Sequence, residues 1–359
     1  MNHAVRLRAL RRRLGGQQIE SLLVTHLPDV RWLCGFTGSN AALAIDARRA
    51  VLFTDGRYTT QAKEETQAAR VVIAKKSALK EACELLSGSG KIFFDPEHTT
   101  VATLAAMRSA LGAKGRGAFT PLKQPIVSEL RMVKDADELG WMTQAAMLGC
   151  SIFDAVLPHI AAGVTEVEVA AQLEFFARSL GADGMSFETI VASGVRSALP
   201  HGRATEALLP RNGFVTLDFG VILKGYCSDM TRTVCLGKPD KSAREAYDAV
   251  LEAQQAAVEA VRPGATCGEV DEAARSVLRK AKLAQYFSHS TGHGVGLEIH
   301  ESPRVAAGQA TVLEPGMVIT IEPGVYMAGK FGVRIEDMVA VTAEGGRVLT
   351  PSPKALIEL

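Results

Sequence analysis

Five side chains able to bind hard cations sit in strand-like or glycine-flanked contexts in the second half of the chain: Asp218, Asp229, His293, Glu322 and Glu336. Four carboxylates and one imidazole form an oxygen-rich set that suits a pair of divalent ions such as manganese, cobalt or zinc, and carry more negative charge than a single ion can use. Asp218 and Asp229 are 11 residues apart, with Leu223, Lys224 and Gly225 as a turn between them. A hairpin there sets the two carboxylates side by side, with Cβ atoms about 5 Å apart, although such a pair can equally cap or solvate a turn. His293 stands among Gly292, Gly294 and Gly296, which either let the backbone approach an ion or peptide or merely form a turn. Glu322 closes an apolar run just before Pro323, where an uncompensated buried carboxylate costs roughly a few kcal/mol. Arg334 and Glu336 alternate onto one strand face, either as part of a site or as an ion pair on an edge strand.

The elements that must position these residues are readable from periodicity. Strand patterns cover residues 189–192, 214–220, 225–234, 317–322 and 332–341, and helical spacing covers 135–157, 166–180, 243–261 and 267–281. Thr165 and Glu168 form a capping box ahead of the second helix. The order of two helices, strands, two helices and strands hints at two related halves. Earlier, five short β-rich runs within residues 21–25, 41–45, 50–54, 71–74 and 91–95 alternate with helical stretches at 58–69 and 99–111, the pattern of a small α/β domain. Residues 112–125, with turn formers and no sustained period, read as the linker. This predicts two domains, 1–122 and 123–359.

Composition narrows the function. Forty basic residues against 39 acidic ones give a net charge of +1, so no general field draws nucleic acid or an anionic membrane. The arginine-rich start, residues 1–13, lacks the apolar core of a signal peptide and reads as an amphipathic surface helix with a solvated arginine face. No apolar stretch reaches the ~20 residues needed to span a bilayer. Six scattered cysteines without a Cys-x-x-Cys pair suggest reduced thiols in a cytoplasmic protein, and Cys227 and Cys235 read as small buried hydrophobes.

Taken together and in order, these segments resemble the proline-specific pita-bread metallopeptidases, prolidase and aminopeptidase P, with methionine aminopeptidase and creatinase as more distant relatives. The segments carrying the resemblance are 193–201, 217–220, 228–233, 289–296, 322–324 and 334–337, and 36–40 and 53–58 are similar to that family's amino-terminal domain. The resemblance implies an α/β (α+β) architecture: a small creatinase-like N-terminal domain followed by a catalytic pita-bread domain. It implies that Asp218 chelates one ion, that Asp229 and Glu336 bridge two, and that His293 and Glu322 complete the second. It further implies substrate-contacting roles for His201, His289 and His300, with Glu322, His201 and His300 acting in catalysis. Arg334 is expected at the substrate, and Arg304 is expected to grip a free peptide C-terminus as a fork. The expected activity is a dinuclear, manganese-dependent Xaa-Pro dipeptidase acting on proline-containing di- or oligopeptides. An Xaa-Pro aminopeptidase, a methionine aminopeptidase and a non-enzymatic peptide-binding module are the alternatives. The resemblance also implies a homodimer.

Overall fold

Alternating β-rich and helical runs assemble the first part of the chain around a single mixed sheet. The computed structural model describes residues 1–88 and 90–359, which divide into two compact units, Met1–Arg131 and Met132–Leu359. In the first unit the strands are β1 (Ser21–Val24), β2 (Ala42–Asp46), β3 (Ala50–Thr54), β4 (Arg70–Ile73), β5 (Ile92–Phe94) and β6 (Phe119–Pro121), in the order β4-β3-β2-β1-β5-β6. The helices are α1 (His3–Gly16), α2 (Leu27–Cys34), α3 (Gln61–Glu65), α4 (Ala78–Leu86), α5 (Val101–Ala110) and α6 (Ile126–Met132). The stretch 112–125, read above as a linker, instead contributes β6, which pairs parallel to β5. The division accordingly falls after Arg131 rather than at the turn-rich segment. Helix α1 shows its arginine face only in part: Arg6 is buried, donates from Nη1 to the Trp32 carbonyl at 3.0 Å and lies 4.7 Å over the Trp32 ring.

The second unit opens with α7 (Ala136–Val156) and α8 (Glu166–Ser179), both started by capping boxes, Asp135 with Glu138 and Thr165 with Glu168. Their apolar faces, including Phe153, Val169 and Leu173, pack on Leu217 and Phe219 of a sheet ordered β12-β9-β8. These strands are β8 (Ile190–Ser193), β9 (Gly213–Phe219) and β12 (Met230–Leu236); β7 (Gly184–Met185), β10 (Val221–Leu223) and β11 (Tyr226–Cys227) make a small neighbouring sheet. A second helix pair follows, α9 (Lys241–Ala260) and α10 (Cys267–Lys280), with Thr266 and Glu269 repeating the capping box. Val250, Ala253 and Val270 pack on Ile319 and Val339 of a five-stranded sheet ordered β14-β13-β15-β18-β19. Its strands are β13 (Gly292–Gly294), β14 (Glu301–Val305), β15 (Val318–Ile321), β18 (Asp337–Thr342) and β19 (Gly345–Val348). A hairpin of β16 (Gly324–Met327) and β17 (Phe331–Arg334) pairs on its own. The repeated order of two helices and strands is the two-half pattern seen in the sequence. Among the described residues no helix is long and apolar enough to cross a membrane, and all six cysteines are buried free thiols.

Two expected strands are interrupted, and both interruptions fall at carboxylates. Residues 225–234 do not run straight: β11 ends at Cys227 and β12 begins at Met230. Lys224 and Gly225, both at positive φ, close the β10–β11 hairpin, as a two-residue type I′ turn requires. At Ser228 the backbone N–H and the side chain both bond Val221, whose own N–H donates to the Ser228 hydroxyl at 2.9 Å, and Asp229 is left outside the ladder. The register therefore places Thr231, not Asp229, opposite Asp218. The side-by-side arrangement of the two aspartates becomes a diagonal one, two positions apart on neighbouring strands. Likewise 332–341 breaks after Arg334, and the Glu336 N–H leaves the sheet to donate to the Thr231 carbonyl at 3.1 Å.

Candidate metal centre

The strand breaks aim carboxylates at one point. One donor atom each from Asp229, His293 and Glu336 lies within 4.8 Å of the others. His293 Nε2 is 3.6 Å from an Asp229 oxygen and 3.5 Å from Glu322 Oε1. His293 Nδ1 lies 2.9 Å from the Gly294 carbonyl, which can only accept, so the ring proton is on Nδ1 and the Nε2 lone pair faces the carboxylates. Burial holds this imidazole near a pKa of about 4, which keeps it neutral.

The carboxylates are costly where they stand. Burial, reinforced by Glu336, Asp218 and Glu322, holds the Asp229 carboxyl well above its ordinary range. Burial and then Glu336 do the same to Glu322, and burial with Asp218 lifts Glu336 to about 8. Asp218 Oδ1 is buried and, among the described residues, has no hydrogen-bond partner. Mutual repulsion, a histidine lone pair and an unpartnered buried oxygen, all converging, are what a cation-binding set looks like with no proton donors between its members. Hard oxygen ligands and one imidazole fit divalent ions.

One buried cation answers part of this charge. Arg334 donates from Nη2 to Asp218 Oδ2 at 2.5 Å, from Nε to Thr231 Oγ1 at 3.1 Å, and from Nη1 to both Tyr326 Oη at 2.6 Å and the Pro200 carbonyl at 3.0 Å. Its guanidinium is engaged by the protein at Nε, Nη1 and Nη2, which makes it an anchor for Asp218. Thr231 in turn donates to Glu336 Oε2 at 2.6 Å, so one hydroxyl couples Arg334 to a second carboxylate. Beneath these residues, Asp337 is held by Arg232 Nη2 at 2.8 Å and by Lys354 and Gln254, so the residue following Glu336 is fixed by its own ion pairs.

The histidines are placed differently from one another. His289 Nδ1 lies 2.8 Å from the Ser290 carbonyl and Nε2 lies 2.9 Å from Tyr326 Oη. Because the carbonyl only accepts, Nδ1 carries the proton and Tyr326 donates to Nε2, completing a relay from Arg334 through Tyr326 to His289. His300 stands edge-on to His293, with ring centroids 4.4 Å apart. His201 is exposed on the loop after β8, beside the Pro200 carbonyl that Arg334 grips. Arg304 is exposed on β14, with its Cα in register with His293 of β13. Sequence reasoning missed Tyr326, Thr231 and Asp271. Asp271, on α10, accepts from the Thr291 N–H and hydroxyl and pairs with Arg275, whose Nη2 donates to the His289 carbonyl. Tyr326 and Asp271 stand in no motif; Thr231 lies within the 228–233 segment, where it was passed over beside Asp229.

The chain is similar to known proteins along its whole length. The family described as "Metallopeptidase family M24" matches residues 140–343, and the "Creatinase/Prolidase N-terminal domain" matches residues 6–133. The peptidase YqhT of Bacillus subtilis is 39% identical over 357 residues, covering 99% of this chain and 100% of that protein. A solved Xaa-Pro dipeptidase from Bacillus anthracis superposes with a TM-score of 0.95 at 40% identity, covering 100% of both chains. A solved X-Pro aminopeptidase from Thermotoga maritima superposes with a TM-score of 0.88 at 35% identity, covering 97% of this chain and 99% of that one.

Proposed function

We propose that this chain, which belongs to metallopeptidase family M24 and carries its creatinase/prolidase N-terminal domain, is an Xaa-Pro dipeptidase that hydrolyses the bond before proline. The observation that carries the reading is the convergence of Asp229, Glu322 and Glu336 on the His293 lone pair, with the Asp218 carboxylate close enough to repel all three, a set that fits a pair of divalent ions. Manganese is the proposed metal, with cobalt or zinc as substitutes. Bound divalent ions supply Lewis-acid polarisation of the scissile carbonyl and an acidified attacking water. Asp218, held by Arg334, with Asp229, Glu336, His293 and Glu322, would hold the ions. Glu322, with 17% of its side chain exposed, is the carboxylate placed to take the water proton and deliver it to the leaving proline nitrogen. His201 and His300 donate to the developing oxyanion and the peptide, and His289, locked by Tyr326, walls the pocket.

The position of Arg304, exposed and in register with His293, favours a dipeptide, because a guanidinium fork there can take a free C-terminal carboxylate. The Thermotoga neighbour's name supports the second reading, an aminopeptidase that tolerates longer peptides. A cytoplasmic homodimer completes the proposal. The manganese-loaded protein is expected to release proline from Ala-Pro and to leave Ala-Pro-Ala intact. Cleavage of the tripeptide alone selects the aminopeptidase, and rapid release of methionine from Met-Gly peptides selects a methionine aminopeptidase. Absence of bound metal by elemental analysis together with no hydrolysis leaves only a binding module.

A further inference from the structure

One buried carboxylate, that of Glu166, holds the loop that carries His201 on both sides of that residue. Glu166, the first residue of α8, is fully buried, yet its two oxygens accept from five donor atoms. Oε1 accepts from the Ser193 N–H at 2.8 Å and the Ser193 hydroxyl at 3.0 Å. Oε2 accepts from the Thr205 N–H at 3.1 Å, the Thr205 hydroxyl at 2.9 Å and Arg196 Nε at 3.0 Å. Ser193 ends β8 and Thr205 lies beyond His201 in the connection to β9, so one side chain ties the chain on both sides of His201. Arg196, fixed by that carboxylate, reaches across and donates from Nη2 to the Arg203 carbonyl at 2.8 Å. On the other side of His201, the Pro200 carbonyl accepts from Arg334, which also holds Asp218.

His201 is thus suspended between two guanidiniums, one referenced to Glu166 and one to the metal-ligand Asp218. A side chain that is itself exposed makes its position depend on this backbone frame. A neutral surface residue would serve as well to close a helix start, which Thr165 and Glu168 already do by capping. A buried carboxylate that accepts from five donor atoms holds the loop in one geometry.

The geometry points to Glu166 as a positioning residue for His201, acting through Arg196, Ser193 and Thr205. This rests on the catalytic reading of His201 given above. Glu166→Gln keeps the shape but removes the charge and turns one acceptor into a donor facing donors. Its kcat on Ala-Pro, with manganese, is expected to fall about 10- to 100-fold, as for misplacement of a catalytic group by about 1 Å, with metal content unchanged. In a His201→Ala background the same substitution is expected to cost nothing further, since effects that act through one group do not add. Hydrogen exchange of amides 193–205 is expected to accelerate in Glu166→Gln while β9 and β12 stay protected.

An equal loss in both backgrounds, no loss in either, or loss of bound metal overturns the proposal. Unchanged exchange in 193–205 overturns it independently of any peptide assay. A fully active His201→Ala protein overturns the reading of His201 first and this inference with it, which separates the two failures. Should Glu166→Gln fail to fold, Arg196→Lys, at a partly exposed position, is put through the same cycle, and equal losses with and without His201 are decisive against the role.

Discussion

At the scale of single residues, the chemistry depends on a few side chains that touch no ion at all. Tyr326 is the clearest. Its phenol is fully engaged, accepting from Arg334 and donating to His289, and burial pushes its own pKa up to about 12, so it stays a hydroxyl at any working pH. Tyr326→Phe leaves a buried guanidinium N–H and an imidazole lone pair unpaired. The expected cost is about 1–3 kcal/mol of stability, read by thermal unfolding, with turnover on Ala-Pro falling by up to about 100-fold. Wild-type kinetics in that variant would show that the relay is idle. The five clustered ligand candidates were visible in the sequence because Asp, Glu and His at strand ends are rare in apolar runs. Tyr326 and Thr231 were not, since an aromatic or a threonine in a strand is ordinary until its partners are known.

At the scale of elements, close backbone contact is what brings β13 to the site. A Cβ on Gly292 would meet the Thr320 carbonyl oxygen at 1.9 Å, and the His293 N–H donates to the Thr320 hydroxyl at 3.1 Å. Gly292→Ala must therefore push β13 away from β15, whose C-terminal continuation carries Glu322. A loss of about 1–3 kcal/mol is expected from the overpacking, together with weaker manganese binding by calorimetric titration. Unaltered affinity would mean that the β13–β15 spacing does not set the site. Helices α7 to α10 were legible from their 3.6-residue period, and α8 also from its Thr165–Glu168 capping box. The strands at 225–234 and 332–341 were legible as strands but not as broken ones, because the breaks arise from Ser228 bonding Val221 and from the Glu336 N–H bonding Thr231, contacts made between distant segments.

At the scale of the whole molecule, folding and charge are linked. Without metal, Glu336 binds its proton more tightly in the folded chain than in the unfolded one, with a folded pKa of about 8 against an unfolded value near ~4.3, and Asp229 and Glu322 shift the same way. A raised folded pKa contributes stability that is full below the unfolded value and is lost as pH rises through the folded one. The metal-free protein is thus expected to lose thermal stability from pH ~5 to ~9, and manganese to restore it most at the alkaline end. A chelated sample that melts higher at pH 9 than at pH 6 contradicts this account of the cluster. By itself the sequence determined the residue types, their order and the helical and strand periods that carry them, because these are local properties of the chain. Only the tertiary structure decided that Asp229 lies diagonal to Asp218, that Arg334 donates to Asp218, and that Glu166 gathers donors from both sides of His201. Those depend on register and on where a buried charge finds its donors, which no single segment specifies.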